Sequence, residues 1–418
     1  MIIYISKKAR RTKTKQKKKW IRFRHKVATA FFRPVFPLLS SLLYHVKIDR
    51  FFREQGDRNW LILSNHQTDF DQFFIGSAFK KPVYYVAMED VFSNGFVSKV
   101  ISWLVAPIPI LKASTDARAV MNCIRVAKEG GTIALFPEGN RTYSGRTCYI
   151  KPAVAALAKK LGLPIAFFRI EGGYGVKPRW ADKTRRGKMK AGVRRVIEPE
   201  EYKNMSNDEL YELICRELDV DEAKSDCEYR SKKAAESIER VLYVCPDCGL
   251  TEFESRNETF SCKRCKKTFR YMPDTHIESE NGSSPFRYAA DWYDYQESFI
   301  RKLDLSPYIS EPVYRDTANV SQVIVYDRKK PFMKNAKVSL FGDRLLLELP
   351  DRSLTLDYGD VKAMACIGGH KLNIFYKDTI YQLKGDRSFN ALKYCNIYYH
   401  AKFVTEGHSN GEFQFLGL

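Results

Sequence analysis

No run of uncharged apolar residues approaches the ~18–20 that a membrane-spanning helix needs, which excludes a polytopic membrane protein but not one lying on a membrane. Acidic residues are missing from Met1 to His25, where eleven Lys or Arg stand instead. No apolar core and small-residue cleavage site follow in the usual order, so the opening does not read as a secretory leader. A disulfide framework is missing too. Six of the ten cysteines are scattered singly (Cys123, Cys148, Cys215, Cys227, Cys366, Cys395) and the rest form two CxxC pairs, a metal-binding spacing that predicts a reducing, cytosol-facing compartment. Material for packed cores is plentiful, since 44% hydrophobic and 13% aromatic residues exclude wholesale disorder. The 418 residues suggest about three domains. Subtracting 49 acidic from 70 basic side chains leaves +21, which implies an anionic partner: nucleic acid, a phospholipid surface or a phosphorylated substrate.

After the basic tail, Phe31, Val35, Leu38, Leu39, Leu42 and Val46 recur at helical spacing, with Pro34 and Pro37 placed to kink or divide a helix. A short apolar stripe beside a basic flank suits an interfacial helix on anionic lipid, each surface cation adding about 1 kcal/mol. The competing reading is a solvated tail and an ordinary core helix. Residues 1–50 are expected to be this tail and interfacial region. From Asn59 to Ile170, WLILS, PVYYVAM, IPIL, TIALF and PIAFFRI read as short buried strands, alternating with helical segments that begin near Thr68, Val91, Ser114 and Lys151. The alternation predicts an α/β domain over residues 51–222, a central mixed sheet flanked by helices, with its chemistry in loops beyond the strand ends. Arg194–Ile197 adds a strand, and Asn207–Leu218 a helix behind a Ser206 cap. Residues 223–240 read as a charged helical connector, 241–272 hold the cysteine pairs, and DTHIESENGSSP reads as a linker. A small β-rich domain is expected over 285–405, with hairpin turns at Gly342-Asp343, Pro350-Asp351 and Gly368-Gly369 and a closing helix near Phe389–Phe403.

Two loops carry the chemistry. Ser64-Asn65-His66-Gln67-Thr68-Asp69-Phe70-Asp71 directly follows the WLILS strand. His66 and Asp71, five positions apart, would lie about 140° from each other in one regular helix. They meet only if His66 sits in the loop and Asp71 in the first helical turn. A carboxylate on one imidazole nitrogen would fix the tautomer and leave the other as a general base. The competing reading has Thr68 capping the helix, with Asp71 at its third position favouring the N-terminal dipole. The second loop, Phe136-Pro137-Glu138-Gly139-Asn140-Arg141-Thr142, follows another strand end. Gly139 permits close ligand approach, Arg141 offers a planar fork of donors suited to a phosphate, and Glu138 is expected to orient Arg141 or grip a substrate hydroxyl.

NHQTDFD followed by FPEGNRT resembles the glycerophospholipid acyltransferase family, specifically the PlsC-type 1-acylglycerol-3-phosphate acyltransferases. Asn65, His66 and Asp71 match its NHxxxxD motif, and Phe136 through Thr142 its FPEGxR(S/T) motif. Leu163-Pro164-Ile165-Ala166 is similar to its fourth motif, and Lys151 to a commonly basic position. The second motif normally ends in arginine; here Pro109-Ile110-Leu111-Lys112 makes Lys112 the nearest cation. The resemblance runs from Val46 to Leu218. It implies that His66, oriented by Asp71, takes the proton from a lysophospholipid hydroxyl. That oxygen would attack the thioester of acyl-CoA or acyl-carrier protein, giving phosphatidic acid. Substrate contacts would come from Glu138, Gly139, Arg141, Thr142 and Lys112, with no metal or redox cofactor at this site.

Cys245-Pro-Asp-Cys248 and Cys262-Lys-Arg-Cys265 have the spacing of tetrahedral thiolate zinc, and this segment resembles a zinc ribbon whose closed site is structural. No thioredoxin-like helix pattern follows either pair, which disfavours redox chemistry. Lys263, Arg264, Lys266, Lys267 and Arg270 make the ribbon basic. The last domain is faintly similar to PH-like or GRAM-like modules. An enzyme on the cytoplasmic membrane face, peripheral or monotopic, is therefore expected. One alternative is a related acyltransferase with a different glycerolipid acceptor. Another is a nucleic-acid-binding zinc-ribbon protein with an inactive α/β domain, which leaves His66, Asp71 and the Glu138–Thr142 loop without a purpose.

Overall fold

The computed structural model describes residues 19–110, 117–280, 282–348 and 352–405. The basic tail before residue 19 and the Pro350-Asp351 turn lie outside the described residues. Helices Phe23–Phe32 and Val35–Tyr44 meet at a 46° bend. Pro34, with φ −75°, starts the second helix, and Pro37 falls in its first turn, where no N–H is needed. No single helix among the described residues is long and apolar enough to cross a membrane. Val46 departs from the expected stripe: it is buried in strand β1 (Val46–Ile48).

Strand β1 joins β2 (Leu61–Ser64), β3 (Val83–Met88), β4 (Ile108–Ile110), β5 (Thr132–Leu135), β6 (Ile165–Glu171) and β7 (Met189–Ile197) in a mixed sheet ordered β1-β7-β6-β2-β5-β3-β4. β2 lies parallel to both neighbours, Leu61 opposite Ile133 on one side and Ile165 on the other. Side chains of a strand alternate between faces. Leu61, Leu63, Ile165 and Phe167 therefore pack with helices Ala117–Lys128, Ala153–Leu161 and Asn207–Leu218, while Ile62, Ala166 and Phe168 pack with Phe74, Ile75 and Ala78 of helix Asp71–Ala78. Burial on both faces is why these strands read as unbroken apolar runs. β7 runs antiparallel to β6 and begins five residues before the expected strand. Ser206 caps its helix as expected, through Glu209 N–H at 3.1 Å, and Glu209 reciprocates at 2.6 Å.

Residues 223–240 correct the expected helical connector. They form turns, a bridge from Arg186 to Arg230 and one short 3-10 turn at Ile238–Arg240. The segment lacks a helical apolar stripe and is held by tertiary contacts instead: Tyr229 lies against Gly172, Gly175 and Gly187, filling space that any side chain there would need. Next come the hairpin β8 (Val244–Cys245) and β9 (Gly249–Leu250), then an antiparallel sheet of β10 (Phe253–Arg256), β11 (Thr259–Cys262), β12 (Thr268–Tyr271) and β13 (Ile277–Ser279). β13 arises within the expected linker, Tyr271 pairing with Ile277 across a tight turn. Helix Ala289–Arg301 carries Trp292 into the middle of this region, its ring 5.0–5.7 Å from Phe253, Phe260 and Phe269. Seven antiparallel strands follow: β14 (Tyr314–Val323), β15 (Lys329–Leu340), β16 (Arg344–Glu348), β17 (Ser353–Asp357), β18 (Val361–Ile367), β19 (Lys371–Tyr376) and β20 (Thr379–Gly385). Helix Ala391–Thr405 closes this β-rich unit. One continuous core runs from Tyr143 and Trp180 of the α/β unit through Cys245, Cys262 and Trp292 to Leu372 and Leu392.

Candidate active site

The loop after β2 is anchored by Asn65, whose amide copies a strand pairing: it donates to Ile170 O at 2.8 Å and accepts from Ile170 N at 2.9 Å. His66 follows in the loop, and Asp71 opens the next helix. Across that gap His66 Nδ1 lies 2.8 Å from Asp71 Oδ2. Asp71 is fully buried, yet its carboxylate accepts from Gln67 N (2.7 Å), Thr68 N (3.0 Å) and Thr68 Oγ1 (2.6 Å). Placed against this acceptor, His66 Nδ1 carries the N–H and donates to Asp71 Oδ2, the tautomer that leaves the free lone pair on Nε2. Nε2, the remaining base, has no partner among the described residues. The Phe136 ring stacks on the imidazole at 4.2 Å and 20°. Thr68 therefore supports Asp71 directly rather than capping the helix, whose N-cap position is Phe70.

Glu138 corrects an expectation. One oxygen accepts His66 N–H and the other Cys148 N–H, both at 2.8 Å, and the residue is 2% exposed. Burial pushes its carboxyl up to about 8 against the downward pull of those two N–H groups. Glu138 thus staples the two loops together, with neither oxygen turned to a substrate or to Arg141. Thr142 N–H completes the staple on His66 O at 3.2 Å. The Thr142 side chain is also buried and accepts Gly145 N–H at 2.9 Å, a contact that shapes the loop. Gly139 sits exposed at the tip with φ +70°; a Cβ there would meet no atom within 4 Å, so the conformation, not crowding, requires glycine.

Arg141 is half-buried, and among the described residues no ion pair or hydrogen bond engages its guanidinium. Burial and the Arg179 charge lower its pKa from the usual value, opposed by Asp69 and Asp71. The cation therefore lies within electrostatic reach of the His66 loop. Asp69 was not foreseen: burial alone would raise its pKa, but Arg141, Tyr44 and Lys177 bring it below the ordinary carboxylate value. Tyr44, at the end of helix Val35–Tyr44, donates to Asp69 Oδ1 at 2.5 Å, so the apolar helix pair ends beside the site. Lys112 lies outside the described residues. Lys151 is exposed ahead of helix Ala153–Leu161, and Leu163 to Ala166 lead into β6 as core.

Two further features bear on function. The sulfurs of Cys245, Cys248, Cys262 and Cys265 lie within 4.8 Å of one another, a cluster able to hold a metal ion. Its surrounding cations are largely paired in place: Lys263 with Glu252 and Lys267 with Asp247, each at 2.8 Å, and Arg270 with Glu258 and Glu280. Separately, Phe31, Leu38 and Leu42 are 62–68% exposed on the helix pair, and helix Phe96–Leu104 adds exposed Phe96, Val97 and Trp103. Arg24 joins the two, donating to Trp103 O at 2.7 Å with its guanidinium 5.1 Å from the Trp103 ring centroid.

Residues 44–170 match the acyltransferase family model. The chain is 25% identical over 131 residues to the 1-acyl-sn-glycerol-3-phosphate acyltransferase BAT2, chloroplastic, of Brassica napus, across 29% of this chain and 36% of that protein. It thus spans about a third of the length of the curated relative it matches. Among solved structures it is similar to the 1-acyl-sn-glycerophosphate (LPA) acyltransferase PlsC from Thermotoga maritima, at 22% identity and a TM-score of 0.38, covering 46% of this chain and 75% of that one.

Proposed function

Taking the α/β unit as an acyltransferase domain of the PlsC type, we propose that it acylates the free hydroxyl of a lysophospholipid, 1-acyl-sn-glycerol 3-phosphate first among them. The observation that carries this reading is the pairing of a free His66 Nε2 with an uncommitted Arg141 cation on two loops stapled by Glu138. His66 Nε2 takes the hydroxyl proton while Asp71 steadies the forming imidazolium. The alkoxide oxygen adds to the thioester carbonyl of acyl-CoA or acyl-carrier protein. Collapse breaks the carbon–sulfur bond, and the imidazolium returns its proton to the leaving thiolate. No protein nucleophile is needed, because the thioester is already activated and positioning supplies much of the rate. Arg141 holds the glycerol phosphate as a planar donor fork.

We further infer a lipid-facing surface built from the helix pair and helix Phe96–Leu104, on the cytoplasmic membrane face. Its exposed aromatic and aliphatic side chains match an interfacial anchor, and the eleven cations from Met1 to His25 would favour anionic lipid. We also infer structural zinc at the four cysteines. Sulfurs ~2.3 Å from a tetrahedral zinc stand ~3.8 Å apart, and Cys245 and Cys265 are separated by 3.8 Å. Zinc there would hold the ribbon within the shared core and take no part in acyl transfer. The paired ribbon cations do not favour nucleic acid.

Thiol release from acyl-CoA with a panel of lysolipids tests the activity. His66→Ala is expected to abolish turnover in a folded protein, and Arg141→Ala to raise the acceptor KM with the donor KM unchanged. Near-normal turnover of the first variant refutes the general base. A panel in which another glycerolipid is preferred moves the acceptor assignment to that lipid.

A further inference from the structure

The β18–β19 hairpin lies far outside the matched residues 44–170, yet it reaches the acceptor loop through one side chain. Arg179 is 3% exposed, and each of its guanidinium nitrogens is spent on a main-chain carbonyl. Nη1 donates to Arg141 O at 2.8 Å, Nη2 to Cys366 O at 2.9 Å, and Nε to Gly368 O at 3.2 Å. Its guanidinium carbon stands 4.0 Å from the Tyr143 ring centroid, so the residues on either side of Thr142 rest on the same cation. With every nitrogen engaged and the side chain buried, Arg179 is turned to the main chain and not to a ligand. What it can do is fix the backbone from which the Arg141 guanidinium projects.

The hairpin is shaped to receive it. Gly368 has φ +62°, and a Cβ on Gly369 would fall 3.1 Å from Arg240 Nη1 and 3.4 Å from Arg179 O. Beside this contact Ala363, Ala365, Ile367 and Phe375 form an apolar cluster with Met88 at the end of β3, so the β-rich unit is seated along the strand ends that carry the site. No carboxylate pairs with Arg179 among the described residues, and its charge works against that of Arg141.

We propose that the C-terminal β-rich unit is part of the acceptor-phosphate site, acting through Arg179 as a positioning residue for Arg141. The inference rests on the reading of Arg141 as the phosphate grip. The test compares Arg179→Met, Arg179→Lys, Arg141→Ala and the double variant Arg179→Met/Arg141→Ala by acceptor KM, donor KM and kcat. Arg179→Met is expected to raise the acceptor KM about tenfold or more, with donor KM and kcat within about threefold of the parent. Lysine, a single point charge, should recover only part of the loss. In the Arg141→Ala background Arg179→Met should change the acceptor KM less than about twofold, because its effect passes through Arg141. Gly368→Ala strains the hairpin turn alone and should raise the acceptor KM about two- to fivefold, which keeps the proposal testable if Arg179→Met does not fold. An unchanged acceptor KM in folded Arg179→Met or Gly368→Ala, with Arg141→Ala still impaired, overturns the proposal and leaves the phosphate grip standing. An unchanged acceptor KM in Arg141→Ala overturns the grip itself.

Discussion

Asp71→Asn separates the charge of the His66 partner from its shape. Asp71 Oδ2 takes His66 Nδ1–H, Gln67 N–H and Thr68 N–H, whereas Oδ1 takes the Thr68 hydroxyl and shares Thr68 N–H. An asparagine with its carbonyl at the Oδ2 position keeps three donors, and its amide can donate to a rotated Thr68 hydroxyl. The fold should then lose no more than about 1.5 kcal/mol, the worth of one ordinary hydrogen bond. What disappears is a full negative charge 2.8 Å from the ring nitrogen. With an effective dielectric near 20, that charge stabilises a complete imidazolium by about 6 kcal/mol, and a half-transferred proton by about 3 kcal/mol. At 1.36 kcal/mol per tenfold, kcat should fall by about 10²–10⁴. Thiol release at saturating donor and acceptor measures it, with a thermal melt to establish folding. Asp71→Ala is the wrong experiment: it strands several buried donors at roughly 1–3 kcal/mol each, so lost activity there would report unfolding. A folded Asp71→Asn enzyme within about fivefold of the parent would refute the base–carboxylate mechanism.

Glu138 gives a pH signature. Its folded pKa of about 8 stands above the ordinary carboxyl value, so the stability it contributes is complete at acid pH and declines as pH rises from about 5 to 8. Glu138→Gln should flatten that decline in urea titrations across the range, and an unaltered pH dependence would show that another group causes it. Removing metal with a strong chelator should lower the melting temperature and expose the core around Trp292, seen as a shift in tryptophan emission; replacing both Cys245 and Cys262 with serine should abolish metal binding, and about one zinc per chain retained by that variant would sink the four-cysteine site. Leu38→Asp with Leu42→Asp should reduce sedimentation with anionic phospholipid vesicles about tenfold or more without altering the folded α/β unit, whereas unchanged binding would remove the helix pair from the lipid surface.

The central strands were legible because burial on both faces makes Leu61–Ser64 and Ile165–Glu171 nearly continuous apolar runs. β7 was caught only at its end, since exposed Lys190, Arg194 and Arg195 interrupt its buried positions. Composition misled over residues 223–240, where charged helix formers lack the stripe that would bury a helix face. The expected boundary at the polar linker misled for a related reason: β13 is short and pairs by backbone, leaving little trace in side-chain pattern. In the site, a spacing of five between His66 and Asp71 identified the loop–helix junction because only that geometry lets the two meet. Glu138 was misread because sequence gives an acid's presence but not which N–H groups face it. Tyr44, Asp69 and Arg179 left no signal, as each acts across a contact between distant segments.

The stapling of the two loops has a mechanistic consequence. His66 donates its N–H to Glu138 and its C=O accepts Thr142 N–H, so both main-chain polar groups of the residue are held by the loop that carries Arg141. The imidazole ring is fixed independently by Asp71 and by the Phe136 ring from that same second loop. On the proposed function, base and phosphate grip would then move as one body, and a displacement of either loop would misalign the hydroxyl with the thioester it attacks. Where reaction between two bound substrates depends on near-attack geometry, errors of about 1 Å cost orders of magnitude in rate. Such a site gains from every contact that stiffens the second loop without competing for the substrate. Glu138 does this from within the α/β unit, and on the proposal above Arg179 does it from the far end of the chain. The β-rich unit then acts on acceptor binding without touching the acceptor.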